Sequence, residues 1–205
     1  MRQKEFDEDK VLEDAMKVFW LKGYEGTSIQ DLQDAMGLSR ASIYNAFGNK
    51  SGLYRKVLDK YISSIAQNWL KSFYSGRTFK ESLNNFLDAL FDHNFSLSHP
   101  SGCLTDFGYM ELATHDENTT KKIFDNFDYL LDLTSIRIKK AVEDGELDKK
   151  ADIQSLTYIF IMYFHGIMLL GRLGRLKKNK KQIKEHILRS FSLYDLKKIS
   201  LSRLN

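Results

Sequence analysis

A single proline, Pro100, stands in a chain of 205 residues. Proline fixes φ, removes an amide donor and breaks helices, so its near-absence predicts long uninterrupted helices. Only twelve glycines accompany it, too few for the turns of a many-stranded β architecture. The apolar share of 42% and charged share of 28% are those of a globular domain and argue against wholesale disorder. One cysteine, Cys103, leaves no intramolecular disulfide framework and no Cys₄ or Cys₂His₂ zinc site. The amino terminus turns acidic at Glu5 without an apolar stretch, so no secretion signal is read there. The expectation is an all-α, cytoplasmic chain.

The net charge of +4 conceals an uneven distribution. Residues 1–60 hold ten basic and ten acidic side chains, residues 61–170 ten and fifteen, and residues 171–205 eleven and two. A nucleic-acid surface therefore has to be sought in local clusters, not in the overall charge.

Helical periodicity begins at once. Val11, Ala15 and Phe19 form one row with Leu12 and Met16 beside them, a stripe that faces a core. Asp7 or Asp9 can cap this helix, and Gly23 ends it. Thr27-Ser28-Ile29-Gln30 has the form of a capping box. A short helix follows, with Ile29, Leu32 and Met36 inward, and stops at Gly37. A second starts at Ser39, with Ile43 and Phe47 inward. Two short helices joined by a glycine-containing turn match a helix-turn-helix, with the first helix packed behind them. The outward face of the second carries Arg40, Ser42, Tyr44 and Asn45. Arg reads guanine edges, Asn reads adenine, and Tyr and Ser hydroxyls hold phosphate. From residue 37 to 60 the basic residues Arg40, Lys50, Arg55, Lys56 and Lys60 face Asp59 alone. Spacing alone fits a solvated helical hairpin equally well.

The run from Gly23 to Leu32, followed by Met36-Gly37-Leu38-Ser39-Arg40-Ala41-Ser42-Ile43-Tyr44-Asn45-Ala46-Phe47-Gly48-Asn49-Lys50-Ser51-Gly52-Leu53, resembles the N-terminal domain of TetR-family transcriptional regulators. The resemblance covers about residues 6–58. It implies that Thr27 and Ser28 start the positioning helix and touch phosphate. It places Ser39, Arg40, Ala41, Ser42, Tyr44 and Asn45 at the recognition helix, and Lys50 against phosphate at the start of the next helix. Ala41 stands where the family often has glycine or proline, and Ser51-Gly52 replace a commoner acidic-led pair. On this reading residues 1–58 are the helix-turn-helix domain and residues 59–205 the effector-binding and dimerisation domain.

A long helix is predicted over about 50–74, with others near 78–97, 103–115, 118–144, 152–173 and 180–198. The run Leu156–Leu170 is apolar nearly all round, yet shorter than the roughly 20 residues of a membrane span, so it is expected to be covered by protein on every side. The resemblance implies that the last two helices pair with those of a second copy, giving the two-fold symmetry that two DNA half-sites require. The basic stretch Arg172, Arg175, Lys177, Lys178, Lys180, Lys181 and Lys184 reads as a solvated loop and helix start rather than a nucleic-acid patch.

Helix bundles place ligand cavities between facing helices. Phe107, Met110, Phe127, Met162 and His165 are the expected wall for a small apolar or aromatic effector. Cys103, at a predicted helix start, sits where amides and dipole favour thiolate and raise reactivity. Its Gly-Cys-Leu setting resembles a branch of TetR-like regulators with a cysteine at that place, some of which answer electrophiles or oxidants. Equally, Cys103 can be a small, inert, buried residue. Five scattered histidines offer no nucleophile–base motif, and Asp92, His93, His99, Asp106, Glu111, His115 and Asp116 match no metal-ligand spacing. No enzymatic activity, cofactor or metal is expected. The expected function is a homodimeric, ligand- or thiol-responsive repressor that binds a palindromic operator. The alternative is an interaction module that keeps the fold without specific DNA binding.

Overall fold

The computed structural model describes residues 6–112, 116–176 and 178–192, and the helices there account for the periodicities read above. They are α1 (Glu8–Lys22), α2 (Ile29–Met36), α3 (Arg40–Phe47), α4 (Lys50–Tyr61), α5 (Gln67–Tyr74), α6 (Phe79–Phe95), α7 (Leu104–Leu112), α8 (Glu117–Glu143), α9 (Ile153–Arg172) and α10 (Lys180–Ser192). Among the described residues there is no strand, so the all-α expectation holds. Residue 177 and the predicted extension of the last helix over 193–198 lie outside the described residues.

Local chemistry sets the helix ends. Asp7 is the N-cap of α1 and accepts from the Asp9 and Lys10 amides at 3.0 and 3.3 Å. The capping box of α2 lies one residue later than the sequence suggests. Ser28 accepts from the Asp31 amide at 3.1 Å, and Asp31 accepts back from the Ser28 amide at 2.9 Å. Thr27 is buried instead, its hydroxyl donating to the Gly23 carbonyl at 2.5 Å. The helix predicted over 50–74 is interrupted by a π-helical segment, Ile62–Ala66. There the Ser63 and Ser64 hydroxyls donate to the Lys60 carbonyl at 3.2 and 2.5 Å, competition of the kind that loosens an α-ladder.

Two compact units result, each discontinuous in sequence. The first comprises Met1–Ala66 and Ser98–Asn126, and the second Gln67–Leu97 and Phe127–Asn205. In the first, α1 packs on α2 and α4, with α7 against α1 and α4. Ala15, Phe19, Leu32, Ile43, Leu53, Tyr54 and Val57 make the interior. Tyr54 is its hub: the Phe19 and Tyr24 rings meet it edge-on at 4.9 and 5.1 Å, and its hydroxyl points at the Leu104 carbonyl. Gly108 of α7 lies so close to that hydroxyl that a Cβ would stand 2.2 Å from it.

In the second unit α6 packs on α5, α9 and α10. The Phe73, Phe86, Phe160 and Phe164 rings stack between them, with centroids 4.6 Å apart for Phe73–Phe160 and 4.7 Å for Phe86–Phe160. Helix α9 corrects one expectation. At 20 residues it is long and apolar enough, by length and composition, to cross a membrane. Its inner face, however, is buried through Leu156, Phe160, Phe164 and Ile167 against this aromatic layer. Tyr158, Met162, Leu169, Leu170 and Leu173 remain exposed within the single chain. Two cations of the basic stretch are held by α6: Lys180 pairs with Asp92 at 2.8 Å and Lys184 with Asp88 at 2.6 Å.

Candidate nucleic-acid interface

Helices α2 and α3 are joined by the three residues Gly37, Leu38 and Ser39. Gly37 has φ 64°, a left-handed conformation that glycine adopts without Cβ strain. Ser39 caps α3, accepting from the Ser42 amide at 3.1 Å. Leu32, Met36, Ile43 and Phe47 are buried, so the opposite face of α3 is turned outward.

That face presents Arg40, Ala41 and Asn45, all exposed, with Ser42 and Tyr44 half-buried beside them. The Arg40 guanidinium lies 5.3 Å from the Tyr44 ring centroid, a cation–π contact that pre-orders the arginine. The Ser39 and Ser42 hydroxyls are 3.0 Å apart. Exposed hydroxyl, amide and guanidinium groups on one helical face suit the donor–acceptor pattern of a major groove.

Around α3, Ser28 stands exposed at the start of α2, where free amides and the helix dipole favour an anion. Lys50 opens α4 behind its N-cap Asn49, which accepts from the Gly52 amide at 2.7 Å. The Lys50 ammonium rests 4.4 Å from the Tyr24 ring centroid. Partial burial pulls its pKa below the ordinary lysine value, with the Glu25 and Glu111 carboxylates opposing. Gly52 approaches α3 closely, since a Cβ there would stand 2.1 Å from the Phe47 carbonyl oxygen. Thr27, expected at phosphate, is buried and spends its hydroxyl on Gly23.

Sequence reading missed the supports of this surface. Glu111 of α7 accepts from the Glu25 amide at 2.8 Å and fixes the turn after α1. Asp116 caps α8, accepting from the Thr119 amide at 3.0 Å, while also receiving bonds from Ser51 and from Arg55 at 3.1 Å. These partners lie sixty and more residues apart, so no local spacing announces them.

The residues of the expected effector wall are divided between the two units. Cys103, Phe107 and Met110 belong to the first unit; Phe127, Met162 and His165 belong to the second. Met110 and Met162 are 71% and 64% exposed, on the outer faces of α7 and α9, so neither is enclosed. Phe127 and His165 do meet, stacked with centroids 5.6 Å apart. Cys103 lies immediately before α7, as expected, yet it is buried. Its sulfur is 2.8 Å from the Thr105 hydroxyl. Burial, then the Asp106 carboxylate, push the thiol up to about 12, against the lowering hydrogen bonds. Desolvation thus opposes the thiolate that the helix start would favour. Among the described residues no group of three or more His, Cys, Asp or Glu could hold a metal ion.

Comparison with known proteins agrees with this geometry. The family model for bacterial regulatory proteins, tetR family, matches residues 11–57, from within α1 to within α4. Those residues thus carry a TetR-type N-terminal domain. The HTH-type transcriptional repressor ComR of Escherichia coli (strain K12) is 39% identical over 103 residues, a match spanning about half of each chain (50% of this one, 49% of ComR). The negative transcriptional regulator IcaR of the biofilm operon icaADBC, from Staphylococcus aureus (strain Newman), is 23% identical over 91% of this chain and 97% of its own. Among solved structures, a cysteine mutant of the TetR-family regulator CifR, complexed with 26-base-pair double-strand operator DNA, superposes with a TM-score of 0.85. That structure is 25% identical and covers 93% of this chain and 100% of its own. Helix α3 and its outward face lie within the matched segment.

Proposed function

We propose that this chain is a cytoplasmic TetR-family repressor that binds a palindromic operator as a homodimer and is released by a reversible small-molecule effector. Residues 1–58 do the DNA binding, and residues 59–205 carry the effector and the dimer contact. The observation that carries the reading is the division of α3, with Ile43 and Phe47 buried on one side and Arg40, Ala41 and Asn45 exposed on the other. Arg40 and Asn45 read base edges, and Tyr44, Ser28 and Lys50 take phosphates.

The dimer reading is supported by the uncovered stripe of α9, where Tyr158, Met162, Leu169 and Leu173 recur at helical spacing. Gly166 lies between them with nothing within 4 Å of where its Cβ would be, so a second helix can approach closely there. A stripe of large apolar side chains is costly to leave in water. A two-fold pair would set two recognition helices about 34 Å apart, one turn of DNA. Burial of Cys103 favours a reversible ligand over direct thiol chemistry as the releasing signal.

The test is a retardation assay of the purified chain on DNA from upstream of its own gene, with sedimentation to establish its mass. Salt-sensitive binding of a dimer to a two-fold sequence is expected, with Arg40→Ala and Asn45→Ala changing which sequence is preferred. Binding by a monomer, or binding indifferent to both substitutions, would refute the reading.

A further inference from the structure

Arg137 is the one buried cation among the described residues of α8, 7% exposed on the inward stripe that also holds Thr134, Ile138 and Ala141. Its guanidinium donates to the Ser82 hydroxyl of α6 at 3.0 Å and lies 5.5 Å from the Phe79 ring centroid. No carboxylate among the described residues comes within ion-pair distance of it. A buried guanidinium ordinarily takes a carboxylate on its two-pronged edge, because a single hydroxyl leaves most of its donors without an acceptor. The remaining nitrogens are not among the fully sealed, unpartnered polar atoms, so they keep some access from outside the packing.

One turn earlier on the same stripe, the fully buried Thr134 hydroxyl has no hydrogen-bond partner. Helical threonines usually bond back to a carbonyl of the preceding turn, as Thr157 does to Ile153 at 2.8 Å. Thr134 and Arg137 thus leave hydrogen-bonding capacity unused in an interior that is otherwise aromatic. The Phe73 and Phe191 rings flank Phe79 with centroids 6.2 and 5.8 Å away.

We propose that the second unit binds the carboxylate of a small organic acid at Arg137, with the acid's apolar part against the Phe79 ring and its neighbours. This rests on the reading of the chain as an effector-controlled regulator and gives that effector a chemical class. One guanidinium balances one carboxylate charge, whereas a doubly charged phosphate would stay under-compensated in this setting.

The test follows the Arg137 Nε–H signal in proton–nitrogen spectra of the full chain, identified by its loss in Arg137→Lys. Acetate, hexanoate and benzoate are titrated, with hexanamide, benzamide and inorganic phosphate as controls. Saturable movement of that signal by a carboxylate and by none of the controls is expected, with the melting temperature raised by about 3 °C at tenfold excess over Kd. Arg137→Met should abolish the response. If that variant does not fold, Arg137→Lys, which keeps the charge but not the fork, should weaken binding about tenfold or more. The proposal is overturned if none of the three acids moves the signal, if amides or phosphate act equally, or if a folded variant responds like the parent. Operator binding is measured separately. Intact operator binding without a carboxylate response rejects the Arg137 site alone, and a carboxylate response without operator binding rejects the regulator reading alone.

Discussion

Cys103 gives the sharpest quantitative prediction, because two effects of opposite sign act on one sulfur. Its place before α7 invites a helix-dipole lowering of the pKa, an effect of about 0.3–1 kcal/mol at a helix terminus. Full burial acts the other way and dominates, holding the thiol at about 12 against an ordinary 9.0. That gap corresponds to about 4 kcal/mol against the thiolate, several times the dipole contribution. Below pH 9 it leaves roughly one thousandth of the thiolate of an ordinary cysteine, and thiolate is the reacting species. The assay is the rate of reaction with Ellman's reagent at about pH 8, native against guanidinium-unfolded chain. The native rate should be slower by about a thousandfold or more, and should keep rising with pH beyond 9 where an exposed thiol levels off. Native and unfolded rates within about tenfold of each other, or a native plateau near pH 9, would refute the reasoning and restore Cys103 as a reactive sensor.

Three further outcomes follow from the same geometry. Tyr54 and Tyr61 are, like Cys103, held neutral by burial, with pKa values raised in the fold; above pH 9 the unfolded chain binds fewer protons than the folded one, so stability is complete below that pH and should fall progressively above it, measured by denaturant titration from pH 7 upward. Gly52→Ala sets a methyl 2.1 Å from the Phe47 carbonyl oxygen, which should cost about 1–3 kcal/mol and weaken operator binding through α3, whereas an unchanged unfolding midpoint would contradict that close approach. Lys50→Ala should lower operator affinity equally across sequences and reduce the salt-dependence slope by about 1, while a change in sequence preference would move Lys50 from phosphate to base contact.

What could be read from the sequence was whatever short-range chemistry decides. The inward rows of α1, α2 and α3, the stops at Gly23 and Gly37, and the caps Asp7 and Ser39 are local facts and stand where they were expected. The capping box slipped because Thr27-x-x-Gln30 and Ser28-x-x-Asp31 both satisfy the pattern. Burial of Thr27 chooses between them, and burial is not local. The π-helical segment was hidden for a related reason: Ser63 and Ser64 are unremarkable in a helix until their hydroxyls take the Lys60 carbonyl.

The same division explains the reagents of regulation. Cys103 was judged from its neighbours in sequence, which supply the dipole, whereas its chemistry is set by burial in the surrounding core, which supplies the desolvation. Glu111 and Asp116 brace the α1–α2 turn and the start of α4 from far along the chain. Arg137 reads in sequence as one more cation beside Lys139 and Lys140 on an amphipathic helix. Folding points those two lysines outward and Arg137 inward. A charge that solvent would have satisfied is then largely withdrawn from it, and a single serine hydroxyl occupies few of a guanidinium's donors. The case for the proposed anion at Arg137 therefore rests on the packed unit and is invisible to any window of sequence.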